Sequence, residues 1–432
     1  MNLKKLVITT AKNAGIALGK KSPRFRDWAR SRLIRHRTGL YRQQMRQTQV
    51  DSHVILFESF MGRKYACSPK AIYEYMAADP VWADRYTFKW AFREEVIEHD
   101  LDRLLEENPA LRKADIFSYG TGEYMREYAA AGYFITNSRL PEFIVMREGQ
   151  KYVQCWHGTP LKRLGYDIIM EGRNAMNTRR ELIEKYDIDA VRFSYMISPS
   201  AFCTEKLRSA FNLPVNNPAA EIIEEGYPRN DALFHIDEKR VRAFRKKLGL
   251  DADDRRRLIL YAPTWRDDQH KTGTGYTYEL AVDFDKWQRE LGDAYVILFR
   301  AHYFVANTFD FSRYENFVID ASGIDDINDL YVMADMLITD YSSVFFDYAD
   351  LKRPILFYMY DLEEYKNNIR DFYIDLDELP GDIVTAEDEL LERIRNFDYD
   401  GYYDERYRKF NDKYNYLDDG EASRRVVEKI FG

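Results

Sequence analysis

Two α/β domains, each a mostly parallel sheet with helices on both faces in the Rossmann-like manner, are what this 432-residue sequence predicts. Three observations carry that expectation. Short apolar runs rich in Ile, Leu, Val and Tyr alternate with helix-like stretches, the alternation runs through the chain twice, and a charged stretch at 237–257 separates the two series. Alternation of this kind describes strands buried on both faces and joined by helical crossovers. The length suits two domains of ordinary size, and a 45% hydrophobic content fills a core in each.

In the first series HVILF (53–57) reads as a strand and PKAIYEYMAA (69–78) as a helix with Pro in its first turn. YTFKWAF (86–92), YFITNS (133–138) and KYVQCW (151–156) are further strands, 178–186 is helix-like, and SYMISPS (194–200) leads into a helix begun by AFCTEKL. EIIEEGYPRNDALF (221–234) reads as a strand end, a tight turn and a short helix. The second series contributes RLILYAP (257–263), AYVILFR (294–300), FVID (317–320), DMLITD (335–340) and RPILFY (353–358), with the Gly/Thr-rich KTGTGYTYE (271–279) as a loop. The predicted domains are 51–236 and 237–400, with 401–432 as C-terminal helices.

Residues 1–50 stand apart. They hold thirteen Lys/Arg against Asp27, a formal +12, so the rest of a chain of net charge −8 carries −20. Lys12 and Asn13 interrupt the apolar centre a signal peptide needs, and no run of about 18 apolar residues predicts a spanning helix. On a helical wheel Phe25, Ala29, Leu33 and Leu40 share one side while Arg26, Arg30 and Arg37 lie away from it, with Trp28 and Tyr41 suited to the headgroup level. This is the pattern of a helix lying on anionic lipid. A solvated helix on the chain's own acidic body is the bland reading and a nucleic-acid arm the third; the expectation taken forward is a membrane surface and no nucleic acid. Three scattered cysteines, Cys67, Cys155 and Cys203, form neither a disulfide framework nor a CxxC zinc site, which fits a reducing cytoplasm.

Neither half contains GxGxxG or GxxxxGKS. In open α/β sheets ligands bind beyond the carboxyl ends of the strands. The residues there include His157, Gly158 and Thr159; Arg229; Arg266; Arg300 and His302; and Thr339, Asp340, Ser342 and Ser343. Ser342 and Ser343 fall at the first turn of a helix, where free N–H groups accept an anion or where a serine simply caps the helix. Strand-end arginines 266 and 300 offer paired donors to phosphate, although such arginines are also commonly solvated or paired with acids. His157 is a candidate general base, set against an ordinary structural histidine. Cys155 alternates into the core and is not expected to be a nucleophile.

Taken in order, CWHGTPLKRLGYD, EEGYPRND, YAPTWRDD, FRAH and ITDYSSVFFDYADLKRPILFY resemble the CDP-glycerol glycerophosphotransferase family, the teichoic-acid primases and polymerases of Gram-positive bacteria. FESFMGRKYACSPKAIYEYM (57–76) also resembles that family's N-terminal domain, so the likeness runs from about residue 53 to the C-terminus.

The resemblance implies a GT-B-like fold with the active site between the domains and a C-terminal tail that packs back toward the first. It implies His157 as the base on the acceptor hydroxyl, His302 at the donor diphosphate, Thr339 to Ser343 as the donor-phosphate loop, and Lys162 positioning an acidic acceptor. The implied reaction moves glycerol phosphate from CDP-glycerol to a hydroxyl of an acceptor carried on a polyprenyl diphosphate saccharide, with release of CMP at the cytoplasmic face of the membrane. No cofactor is required by it. Asp325, Asp326 and Asp329 could hold Mg²⁺, but DDINDLYVMAD reads more simply as a capped amphipathic helix. A CDP-ribitol or capsule polyol-phosphate enzyme, a nucleotide-sugar glycosyltransferase, and a non-catalytic polyanion-binding protein are the alternatives left open.

Overall fold

The computed structural model describes residues 23–169, 179–250, 253–264, 270–271, 275–276, 280–300, 310–363 and 372–432. The first domain is built on strands β1 (Asp51–Glu58), β2 (Thr87–Phe92), β3 (Asp115–Ser118), β4 (Ala131–Thr136), β5 (Lys151–Gln154), β6 (Tyr195–Ser198) and β7 (Glu221–Glu224). They pair side by side in the order β3-β2-β1-β4-β5-β6-β7, every pair parallel. The second domain holds β8 (Arg257–Ala262), β9 (Tyr295–Phe299), β10 (Val318–Asp320), β11 (Met336–Thr339), β12 (Ile355–Tyr358) and β13 (Asp382–Val384), all parallel in the order β10-β9-β8-β11-β12-β13. A two-residue hairpin, His270–Lys271 with Gly275–Tyr276, lies at the predicted Gly/Thr-rich loop.

Each sheet therefore reverses direction between its first and fourth strands, β1 and β4 in one domain, β8 and β11 in the other. Crevices for ligands form at such switch points, beyond the carboxyl ends of the strands. The central strands have the composition this burial demands: Ile55–Phe57 of β1 and Leu258–Leu260 of β8 are fully buried, as strands covered on both faces must be. β3 and β13 had no counterpart among the predicted strands. Both are short edge strands, and their burial is partial, so no continuous apolar run marks them.

Helices relevant to the site are α1 (Pro23–Gln47), α2 (Cys67–Ala78), α3 (Gly122–Ala130), α4 (Glu238–Lys247), α5 (Ile327–Met333), α6 (Val344–Tyr348), α7 (Glu405–Tyr414) and α8 (Ala422–Phe431). α1 lies against α3, with Tyr41 buried edge-on to Phe143 at 6.3 Å and Arg30 paired to Glu142. That corrects the expectation for Tyr41, which faces the protein core and not a headgroup layer. Trp28, Leu33 and Leu40 remain 54%, 56% and 41% exposed. No described helix is long and apolar enough to cross a membrane.

The chain after α7 returns to the first domain. Tyr407, Phe410 and Tyr414 of α7 belong to the second core, whereas Val426, Val427, Ile430 and Phe431 of α8 complete the first, with Phe431 against Tyr133 at 4.7 Å and Tyr86 at 5.3 Å. The domains are also joined by charge. Lys70 pairs with Asp326 at 2.9 Å, Arg103 with Asp325 at 2.9 Å, Lys64 with Asp325 at 3.3 Å, and Lys247 of α4 with Glu107 at 2.6 Å. Asp329 takes Arg240 at 2.8 Å, and Asp326 also caps α5 through the Asn328 N–H. The three acids considered for Mg²⁺ are thus each engaged by a cation, and four of these five ion pairs cross between the domains.

Candidate active site between the domains

The chain leaves β5 at Gln154, two residues before the predicted strand end, because Trp156 adopts φ +52. A left-handed tryptophan costs about 1–3 kcal/mol and persists only where its surroundings fix it. Its N–H donates to Gln154 Oε1 at 2.8 Å, and its indole stacks on the His157 ring at 4.6 Å. The imidazole Nδ1 lies 2.8 Å from the backbone oxygen of Asn137, just past β4. A carbonyl only accepts, so Nδ1 carries the proton and Nε2 presents its lone pair. The residue is solvent-exposed, although protein packs densely around its ring. Desolvation holds its pKa below the usual histidine value; the Asn137 hydrogen bond opposes this, and the positive charges of Arg229 and Arg139 add to it. At neutral pH the group is an unprotonated base.

Asn137 also fixes the other wall. Its Oδ1 accepts from Phe60 N at 2.8 Å, where Phe60, Met61 and Gly62 turn through φ +49, +58 and +74 after β1. Neither Asn137 nor Gln154 was among the residues picked from the sequence. A buried amide inside an apolar strand, as in YVQCW, was the signal available.

Gly158 meets the second domain directly. A Cβ built on it would stand 2.7 Å from Ser343 Oγ, so the loop after β5 and the loop after β11 touch across the domain boundary. Ser343 holds the N-cap position of α6 but makes no capping hydrogen bond; Ser342 Oγ accepts from Val344 N instead, at 3.4 Å. α6 spans only five residues. Thr339 and Asp340 are turned inward: Thr339 Oγ1 donates to Ala262 O at 2.8 Å, and Asp340 Oδ1 accepts from Thr264 N and Oγ1, both at 2.8 Å. They tie the ends of β8 and β11 together and so shape the loop from below.

The remaining predicted residues divide. Thr159 is buried beside Gly158. Lys162 bridges to Phe372 of the second domain, and the Leu161 carbonyl accepts from Tyr373 N at 2.8 Å. Arg229 is buried, with Nε and NH2 on the two oxygens of Asp347 at 3.1 and 2.8 Å and its guanidinium 3.9 Å from the Tyr227 ring. That places it as a pin between the domains, although its place beyond a strand end suggested a group open to ligand. Arg300 donates through NH1 to the carbonyls of Ala321, Ser322 and Ile324, so part of its fork braces the loop after β10. Burial lowers its pKa. Arg266 and His302 lie outside the described residues. Cys155 is fully buried, and desolvation pushes its thiol well up, which leaves it inert.

A histidine in its neutral, base-competent tautomer therefore directly precedes a glycine that meets a serine loop of the other domain. A family model for CDP-Glycerol:Poly(glycerophosphate) glycerophosphotransferase matches residues 40–432. The chain is 37% identical over 398 residues to a teichoic acid poly(glycerol phosphate) polymerase of Staphylococcus epidermidis, covering 90% of this chain and 52% of that protein. It is 35% identical over 395 residues to a polymerase of the same name from Bacillus spizizenii, covering 88% and 92%. The chain spans about half the length of the first of these and of the similar Bacillus subtilis protein. A solved structure of the wall teichoic acid polymerase TagF, a histidine-to-asparagine variant soaked with CDPG, superposes with a TM-score of 0.78 at 35% identity over 100% of this chain and 98% of that one. Family match, sequence relatives and superposed structure agree with the motifs around His157 and Ser343: the chain belongs to the CDP-glycerol:poly(glycerophosphate) glycerophosphotransferase family.

Proposed function

We propose that this protein transfers glycerol phosphate from CDP-glycerol to a hydroxyl of a teichoic acid acceptor held on a lipid carrier, within a GT-B-like cleft. The observation that carries the reading is the contact of Gly158 with Ser343, which sets the His157 loop and the Thr339–Ser343 loop on one gap. The acceptor hydroxyl gives its proton to Nε2 of His157 while its oxygen bonds to the glycerol-bearing phosphorus. The bond from that phosphorus to the CMP oxygen breaks, and the electron pair leaves with CMP.

Ser343 and the N–H groups of its loop, His302, Arg266 and the rest of the Arg300 fork hold the donor diphosphate and neutralise the charge that develops on the departing CMP phosphate. Lys162 faces the acceptor side, with Gly158 and the buried Thr159 shaping the loop that carries it. Positioning and fixed positive charge supply most of the rate in phosphoryl transfer. With that charge coming from protein groups, the reading requires no metal. The exposed Trp28, Leu33 and Leu40 with Arg32, Arg35, Arg42 and Arg46 of α1 meet the anionic membrane surface that displays the acceptor.

The test is release of CMP or UDP from CDP-glycerol, CDP-ribitol and UDP-sugars in the presence of a lipid-linked glycerol phosphate acceptor, with and without EDTA. CMP from CDP-glycerol, reduced about 10²- to 10⁴-fold by His157→Ala, is the expected result. Turnover of a UDP-sugar alone, or an unaffected His157→Ala variant, rejects it.

A further inference from the structure

Gln154 is fully buried in a strand flanked by the buried Tyr152, Val153 and Cys155, and both ends of its amide are used. The ladder between β5 and β6 ends at Gln154 opposite Met196, because a residue at φ +52 turns its N–H out of strand register. Gln154 supplies the acceptor that the ladder no longer offers: its Oε1 takes the Trp156 N–H at 2.8 Å. Its Nε2 donates to Ser138 O at 3.2 Å and to the Tyr152 hydroxyl at 2.7 Å. Ser138 follows Asn137, whose carbonyl anchors His157 Nδ1. One amide is thereby tied to the residue before His157 in the chain and to the neighbour of that histidine's hydrogen-bond partner.

We propose that Gln154 is a positioning residue, holding Trp156 in its left-handed conformation and so aiming Nε2 of His157 into the gap between the domains. This rests on the reading of His157 as the base. Without the amide, Trp156 relaxes toward negative φ, the peptide ahead of His157 rotates, and the ring leaves its place between the Trp156 indole and the Asn137 carbonyl.

Gln154→Ala and the volume-matched Gln154→Met are compared with the unaltered protein by CMP release, by pH profile, and by NMR titration of the His157 ring, assigned with His157→Asn. Both variants are expected to lose about 100-fold in kcat, the scale of a 1 Å misplacement, with KM for CDP-glycerol little changed. The ring titration and the acid limb of kcat should move up toward the ordinary histidine value as solvent is regained. Glycine takes φ +52 without strain, so in a Trp156→Gly background Gln154→Ala should cost less than about threefold. Unchanged ring titration, or equal loss in both backgrounds, overturns the proposal. If the unaltered protein releases no CMP, the functional reading fails, and the ring titration alone decides whether Gln154 positions His157.

Discussion

Gly158 and Ser343 stand face to face across the domain boundary, so close that a methyl group on the glycine would reach within 2.7 Å of the serine hydroxyl. The hydroxyl can rotate aside, since the Ser343 Cβ would remain 3.6 Å away. Gly158→Ala is therefore expected to lower stability by less than about 1 kcal/mol while turning Ser343 Oγ from the gap and lowering CMP release by about tenfold or more. The double variant Gly158→Ala with Ser343→Ala should be no slower than Ser343→Ala alone. Independent, multiplying losses would show that the contact is not what matters.

The Arg229–Asp347 pair joins the domains from inside. Asp347→Ala leaves a buried guanidinium without its carboxylate, which typically costs about 3–5 kcal/mol, measurable by urea denaturation. Replacing both partners, as Arg229→Met with Asp347→Leu, should recover most of the loss. A small effect of Asp347→Ala would mean that water reaches Arg229 in solution.

Glu58, at the end of β1, is buried with Oε2 accepting from Tyr124 and Tyr128 at 2.9 and 2.8 Å and no partner on Oε1. Burial pushes its pKa up to about 7, with the tyrosine hydrogen bonds pulling the other way. A carboxyl raised in the folded state contributes stability that is fully present below its unfolded pKa of about 4.5 and is lost as pH rises through about 7. Glu58→Gln should thus gain up to about 3 kcal/mol relative to the unaltered protein between pH 5 and pH 8, read by unfolding at each pH. A difference independent of pH would place the carboxylate in water.

The outer face of α1 offers a test of membrane contact that leaves the core alone. Trp28→Glu, Leu33→Glu and Leu40→Glu together should weaken sedimentation with phosphatidylglycerol vesicles by at least about tenfold, the scale of losing one buried large side chain. Tm should stay the same because these side chains are already exposed. Undiminished vesicle binding removes α1 from the membrane reading.

Strand runs such as VILF in β1 and LILYA in β8 were legible because burial on both faces writes itself as continuous apolar sequence. β3 and β13 were not, being edge strands that bury less. Gly158 and Ser343 could be placed at strand ends from sequence, but their contact is made only by docking the domains. Arginine reach was the least legible feature. Arg229 and Arg300 sit where strands end, yet a long guanidinium finds whatever carboxylate or carbonyl tertiary packing brings near, here Asp347 and the 321–324 backbone. Tyr41 was misplaced for a related reason: a helical wheel shows which residues share a side, not which side meets the protein.

The helix that finishes the first core comes late in the chain. Arg425, at its start, binds the carbonyl of Glu225 from 200 positions further on. At about 5–20 residues per second a ribosome needs roughly ten to forty seconds to deliver that distance. Throughout that interval the aromatic seat of Trp82, Tyr86 and Tyr133 lacks its Phe431 cover, so the nascent first lobe presents a greasy furrow to solvent, and its maturation is timed by synthesis of its neighbour.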